Sequence, residues 1–376
     1  MKKILFIATV VKTHIMEFHI PILKMFKEMG WTTSVAAKND YENPNDCIIP
    51  YCDSYYEIPF ERNPLKLQNV KAFQQLKIII NKENYDIIHC HTPVGALIGR
   101  LSAKNARKQG TKVFYTAHGF HFYSGAPLKN WLLYYPVEKF MALFTDVLIT
   151  INQEDFKRAN RNFNVIKKIV YIPGVGIDTN KFYPVNSNKK KRTKLASEDF
   201  ILISVGELIP RKNHKIVIEA MGLLKNREGF DKIHYLICGT GPEMLSLKRL
   251  TITLKIEDHV HFLGYQHNIA NLCHVSDLFV FMSLQEGLPV ALMEAMSCGL
   301  PVICTKIRGN TDLVINKYNG IYCNNNANDL ADIIWTIFKN HKKYKILGNN
   351  ARNSVEKFEL SIVQESLKNI YLESLI

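Results

Sequence analysis

Short apolar runs punctuate the chain, with stretches of helical periodicity between them. In the first half they are KILFIAT (3–9), TTSVAA (32–37), YDIIHCH (85–91), KVFYTAH (112–118), DVLITI (146–151) and IVYIP (169–173). In the second half they are FILISVGE (200–207), HYLICG (234–239), HVHFLG (259–264), LFVFMS (278–283), PVICT (301–305) and GIYC (320–323). Runs this apolar predict strands covered on both faces, hence parallel sheets with helices between. The pattern restarts near residue 200, so two doubly wound α/β domains in tandem are the economical reading. The join falls in IPGVGIDTNKFYPVNSNKKKRTKLASEDF (172–200). Its Gly, Pro, Asn and Ser are linker chemistry. The basic cluster within it, Lys189, Lys190, Lys191, Arg192 and Lys194, reads as a solvated loop in preference to a nucleic-acid or lipid contact. The final segment, LSIVQESLKNIYLESLI, again has helical spacing.

One repeat of the strand–helix pattern carries chemistry: SLQEGLPVALMEAMSCGLP, residues 283–301. A strand (LFVFMS), a short loop (LQEGL), and a helix starting at Pro289 and stopping at Gly299 are expected. The amides of Gly287, Leu288 and Val290 and the positive end of the helix dipole then suit a phosphate. From Pro289 to Met296 the only charge is Glu294, so that carboxylate is expected to be buried and to need partners. Two adjacent ribose hydroxyls would match its two oxygens, and so would a lysine or arginine. Glu286, in the loop, lies about where a group attached to the phosphate would sit. A sugar hydroxyl would suit it, as would the plain attraction of a helix start for a carboxylate.

Composition narrows the classes. At 376 residues, 47% hydrophobic and 22% charged, the chain predicts a soluble globular protein of two domains. No run of about 18 apolar residues occurs, so no helix is expected to span a membrane. MKKILFIATVVKTHIMEF is apolar only briefly and lacks a small-residue cleavage site, so it reads as a first strand, not a signal peptide. None of the eight cysteines forms a CxxC pair, and free thiols in a reducing compartment, the cytoplasm, are expected. The net charge of +14 is uneven. Residues 1–172 carry 23 Lys/Arg against 14 Asp/Glu, net +9, and the rest carry 25 against 20, net +5. A basic surface of this kind attracts phosphates or anionic lipid.

EGLPVALMEAMSCGLPV (286–302) resembles the paired-glutamate signature of family 4 glycosyltransferases, which have the GT-B fold. Other segments agree along most of the chain: VGELIPRKN (205–213) resembles the family's diphosphate loop, CGTGPE (238–243) and FLGYQ (262–266) its nucleotide-side loops, and HTPVGALIGR (91–100), TAHGFHFYSGAP (116–127) and PGVGID (173–178) its N-terminal landmarks. The subgroup with HGFHFY and NWLLYYP is similar to bacterial enzymes that assemble capsule, exopolysaccharide or lipid-linked oligosaccharide. The resemblance implies two Rossmann-like domains, 1–175 and 176–356, with a site in the cleft between them and a closing helix over about 357–376. It implies retaining transfer from a nucleotide-sugar, with UDP the better choice, and no metal or other cofactor. The transferred sugar would be a hexose or an N-acetylhexosamine. It assigns Glu294 to the donor ribose, Glu286 with the Gly287 and Leu288 amides to the donor sugar, and Lys212 to the diphosphate. Gly206 falls in the phosphate loop, Pro289 and Val290 open the helix, and Tyr265 lies where the base should stack. His118 matches the histidine that faces the donor sugar. Two departures stand out. Glu207 occupies a position that is often arginine, and Arg211 is the nearest substitute cation. The first loop, TVVKTHIMEF, has no glycine, which leaves Lys12 and His14 for the acceptor side, with Phe122 and Tyr123.

Lys212, Arg211 and the helix start can meet the charge that grows on a leaving diphosphate. No two aspartates lie two apart, so no D-x-D metal site is expected. His89 and His91 with His118 and His121 are the one set that could hold a metal, but no carboxylate or cysteine cluster joins them. GFHFYSGAPLKNWLLYYPVEKFMALF (119–144) sets aromatics beside Lys129 and Lys139. That mixture suits a membrane interface, or else a helix packed on its own core. The membrane reading predicts a peripheral protein on the inner face of the cell membrane, with a polyprenyl-diphosphate-linked acceptor. Rival readings are a nucleotide-sugar epimerase of the same fold, which would turn over donor without acceptor, and a non-catalytic sugar-nucleotide-binding subunit. Nucleic-acid binding rests on charge alone and is not expected. No G-x-G-x-x-G follows the first strand, against a dinucleotide oxidoreductase.

Overall fold

The computed structural model describes residues 1–185 and 198–376, so the basic cluster at 189–194 lies outside the described residues. The chain divides into two compact units, Met1–Gly176 with Ser361–Ile376, and Ile177–Leu360. The first is built on seven strands: β1 (Lys3–Val10), β2 (Thr32–Lys38), β3 (Ser54–Glu57), β4 (Ile87–Cys90), β5 (Lys112–Ala117), β6 (Val147–Thr150) and β7 (Lys168–Tyr171). They pair in parallel in the order β3-β2-β1-β4-β5-β6-β7. Ile4 to Ala8 of β1 are fully buried, because helices cover both faces of the sheet. The helix Leu360–Ser374 belongs to this unit. It buries Val363, Leu367 and Tyr371, with the Tyr371 ring 4.8 Å from Phe26 and 5.0 Å from Phe114.

The second unit carries β8 (Phe200–Val205), β9 (Ile233–Cys238), β10 (Val260–Gly264), β11 (Leu278–Phe281), β12 (Val302–Thr305) and β13 (Ile321–Cys323). Their order is β10-β9-β8-β11-β12-β13, again parallel. Both sheets are doubly wound, as the apolar runs predict. In such sheets ligands bind at the carboxyl ends of the strands where the order reverses. That switch point is β1/β4 in the first unit and β8/β11 in the second. The sequence pattern misses β3, a four-residue edge strand, SYYE, that is only half buried. Tyr55 and Tyr56 each pack on core residues, but two tyrosines between Ser and Glu make no apolar run to betray it.

Candidate active site

In the second unit, the loops after β8 and β11 meet at the switch point. After β8 the chain makes a short 3₁₀ turn, Pro210–Lys212, and Asn213 turns left-handed at φ +56° before the helix His214–Leu224. Asn213 ties the two loops by donating Nδ2 to the Met282 carbonyl at 3.2 Å. Glu286 then receives three donors on one oxygen, Oε1: Lys212 Nζ at 2.6 Å, Arg211 Nη1 at 3.2 Å and Ser283 Oγ at 2.6 Å. Arg211 Nη1 also donates to the Gln285 carbonyl at 2.7 Å, and Arg308 Nε to that of Glu286 at 3.0 Å. The Glu286 and Lys212 side chains are only 10% and 15% exposed, against 40% for Arg211. Two cations and one carboxylate are thus held together in a half-dry loop, an arrangement able to meet an anion.

Backbone contact fixes these loops. A Cβ on Gly309, at φ +82°, would lie 2.4 Å from the Gly287 carbonyl oxygen, and one on Gly239 would lie 1.9 Å from that of Gly206. Neither position admits a side chain. The helix expected from Pro289 begins one residue later, as Val290–Ser297, with Pro289 extended at ψ 113° as its cap. The amides of Gly287 and Leu288 precede it, and Leu288 is buried. Glu294 is half buried on this helix. Its charge, after the Cys298 hydrogen bond and burial, helps hold the Cys273 thiol above its usual range. Tyr265 is 61% exposed just beyond β10, and Glu207 is exposed beside Gly206.

His214, directly after Lys212 and Asn213, is pushed down to about 4 by burial and then by the Lys212 charge. Its folded pKa lies below the ordinary 6.5, so the unfolded chain binds the extra proton. Stability from this group is whole above pH 6.5 and is lost as pH falls towards 4, at about 1.4 kcal/mol per unit. His214→Gln should flatten that part of the acid-stability profile, measured by urea unfolding between pH 7 and 4.5. An unchanged slope would remove His214 from the account.

In the first unit the carboxyl ends of β1, β4 and β5 gather histidines. His91 Nδ1 lies 3.2 Å from His118 Nε2, and His14 Nε2 lies 3.2 Å from His19 Nε2. Of the four histidines that sequence could set together, His91 and His118 are neighbours and His89 and His121 are engaged elsewhere. His89 is engaged beneath, with Nδ1 2.6 Å from the Tyr371 hydroxyl and Nε2 2.8 Å from Thr116 Oγ1. His121 stacks on Tyr134, with centroids 4.5 Å apart. Sequence reasoning missed His19. Its signal was the five-residue spacing from His14 in the loop after β1.

Of the residues expected on the acceptor side, Lys12 is exposed, with Nζ 5.4 Å from the Tyr41 ring centroid, and Tyr123 is half buried. Phe122 does not fit the role expected of it. It is fully buried, stacked on Phe120 and flanked by Trp131, Tyr135 and Phe163. Its ring supports the loop from inside. A cavity of ≈ 760 Å³ opens nearby, lined by His14, Arg62, Leu65, Leu133, Tyr134 and Glu138 among others. Glu138 is held there by Arg100, whose Nη2 donates at 2.8 Å while its guanidinium lies 4.2 Å over the Tyr115 ring. The helix Leu128–Met141 packs Trp131, Tyr134 and Tyr135 on the core. Leu128, Leu132, Leu133, Phe140 and Leu143 are 50% exposed or more. The outward face is mainly aliphatic, with Phe140 its one aromatic, so for Trp131, Tyr134 and Tyr135 the structure shows the core-packed alternative. Among the described residues no helix is long and apolar enough to cross a membrane.

Two family models match the chain, "Glycosyl transferase 4-like" over residues 3–152 and "Glycosyl transferases group 1" over residues 185–354. EpsD of Bacillus subtilis (strain 168), which bears a glycosyltransferase name, is 38% identical over 98% of this chain and 96% of its own length. An Escherichia coli UDP-Gal:alpha-D-GlcNAc-diphosphoundecaprenol alpha-1,3-galactosyltransferase is 31% identical over 84% and 82%. Among solved structures, Anabaena Alr3699/HepE in complex with UDP and glucose superposes with a TM-score of 0.79 at 19% identity, covering 98% of this chain and 99% of that one.

Proposed function

The chain belongs to the family 4 glycosyltransferases of the GT-B fold, and from that premise we propose that it moves a hexose or N-acetylhexosamine from a UDP-sugar to a polyprenyl-diphosphate-linked saccharide, with retention. The observation that carries this reading is the Glu286–Lys212–Arg211 constellation at the β8/β11 switch point. A departing nucleoside diphosphate gathers negative charge as the glycosidic bond breaks. Lys212 and Arg211 are preorganised to meet it, so little reorganisation remains at the moment of reaction. Glu286 acts as a donor-sugar contact, the role that the family resemblance implies for it, and not as a nucleophile. Glu294 takes the ribose hydroxyls, Gly206 and the Gly287 and Leu288 amides line the phosphates, and Tyr265 meets the base. His118 faces the sugar as a neutral imidazole, since burial pushes it down to about 4.

UDP is supported by the UDP-bound structural neighbour and the UDP-galactose-using relative. A thermal-shift screen against UDP, GDP, ADP and their common sugars tests the donor class. One nucleotide class should raise the melting temperature over nucleotide-free protein in the same buffer. The rise should be indifferent to EDTA and absent in Glu294→Ala. No response from folded protein would sink the reading.

The diphosphoundecaprenol acceptor in the relative's name supports a lipid-linked acceptor here. So do the ≈ 760 Å³ cavity and the exposed apolar face of Leu128–Met141. The protein would then sit peripherally on the inner membrane face, drawn by its basic N-terminal half. Vesicle flotation should show more binding to anionic than to neutral lipid. Leu132→Glu combined with Phe140→Glu should abolish it. Flotation that survives this double change would place the contact elsewhere.

A further inference from the structure

We propose that His14, His19, His91 and His118 form a binding site for one divalent transition-metal ion, zinc in the cell. Each side chain offers an imidazole nitrogen, and the four ligand atoms lie within 4.8 Å of one another. Four nitrogens around zinc at 2.0–2.1 Å stand about 3.4 Å apart in a tetrahedron. Two opposite edges, His14–His19 and His91–His118, already measure 3.2 Å. Closing the other edges needs shifts of about an ångström, within reach of side chains on a loop.

The surroundings favour a ligand over a packed core. His91 is 1% exposed. A cavity of ≈ 30 Å³ borders His19, His91 and His118, room for an ion or a single water. Neutral imidazole is the form that ligates.

The donor set names the metal class. Four imidazoles with no carboxylate among them suit Zn²⁺, Co²⁺, Ni²⁺ or Cu²⁺, and do not suit Mg²⁺ or Ca²⁺. The position fits as well, at the carboxyl ends of β1, β4 and β5 on the switch point of the first sheet. His14 lies on a π-helical turn, Val11–Ile15, immediately after β1. Such turns are rare and gather at functional sites. The ion would clamp this loop to the ends of β4 and β5. The donor-site cations remain Lys212 and Arg211, and the inference does not rest on the proposed function: it gives His118 a ligand's role in place of the sugar-facing one.

The test uses the full chain carrying no histidine tag, stripped with EDTA and titrated with Co²⁺, then Zn²⁺. One Co²⁺ per chain should give the visible bands of tetrahedral cobalt, which Zn²⁺ displaces, and Zn²⁺ should raise the melting temperature. His14→Gln and His19→Gln should each weaken binding by more than the roughly 10–100-fold that outer-shell changes cost. Far-ultraviolet circular dichroism establishes that the variants fold, and His121→Gln, at a histidine outside the set, should bind like the parent. No cobalt spectrum from folded protein would overturn the site. So would a spectrum kept intact in the His14→Gln/His19→Gln double variant, which would move the ion to another cluster such as His234 and His261.

Discussion

Replacing Lys212 with alanine should lower the rate of sugar transfer by roughly 10²–10³-fold, the loss expected of one preorganised donor to a developing anion. Lys212 Nζ sits 2.6 Å from Glu286 Oε1 and is largely out of water. Its ammonium is therefore worth more there than in solution, and no solvent need reorganise when the diphosphate leaves. The loss should fall on kcat more than on KM, because the charge being met exists mainly in the transition state. Lys212→Arg, which keeps the charge but not the position, should recover part of the rate. Lys212→Ala/Glu286→Ala should lose less than the product of the two single losses, since the side chains form one unit. The measurement is single-turnover transfer from UDP-sugar to a purified lipid-linked acceptor, with a melting curve beside it. A rate within threefold of the parent would remove Lys212 from the chemistry.

Arg100→Ala should destabilise the first unit by about 3–5 kcal/mol, the cost of breaking a buried ion pair by removing one partner. Arg100 is 1% exposed and Glu138 11%. The guanidinium also donates Nε to the Ala96 carbonyl at 2.9 Å and covers the Tyr115 ring. Alanine leaves a cavity, an unpaired carboxylate and an uncovered tyrosine together. Arg100→Met with Glu138→Leu should recover most of the loss, because apolar replacement of both partners avoids the stranded charge. Urea unfolding of the full chain, read by Trp31 and Trp131 in a Trp335→Phe background, reports on this unit. A loss below about 1 kcal/mol would mean that the pair behaves as a surface bridge.

Much of this architecture was legible because parallel strands are buried on both faces, so each advertises itself as an unbroken apolar run. Glu286 and Glu294 were legible for the converse reason: a charge in such a run needs a cause. What escaped was set by contacts between distant segments. β3 offers only two half-buried tyrosines, each covered by residues distant in sequence. His19 gains meaning only when the turn after β1 carries it to His91, 72 residues further along the chain by numbering. The inward aromatics of residues 119–144 could not be told from outward ones, because Trp and Tyr serve a core and an interface equally well. Helical spacing showed that a face existed, but which neighbour covered it was decided by Phe122 and Phe163.

The Tyr371–His89 hydrogen bond joins residues 282 apart in the chain. During synthesis, the strands of the first unit emerge long before the helix that covers Phe26, Phe114 and His89. All of Ile177–Leu360 must be translated in between. At about 5–20 residues per second that is a wait of roughly 10–40 s, far longer than the microseconds in which helices and hairpins form. The second unit, contiguous in sequence, can finish folding first. The nascent first unit spends the interval with an apolar seam uncovered, and it is there that a chaperone would find its client.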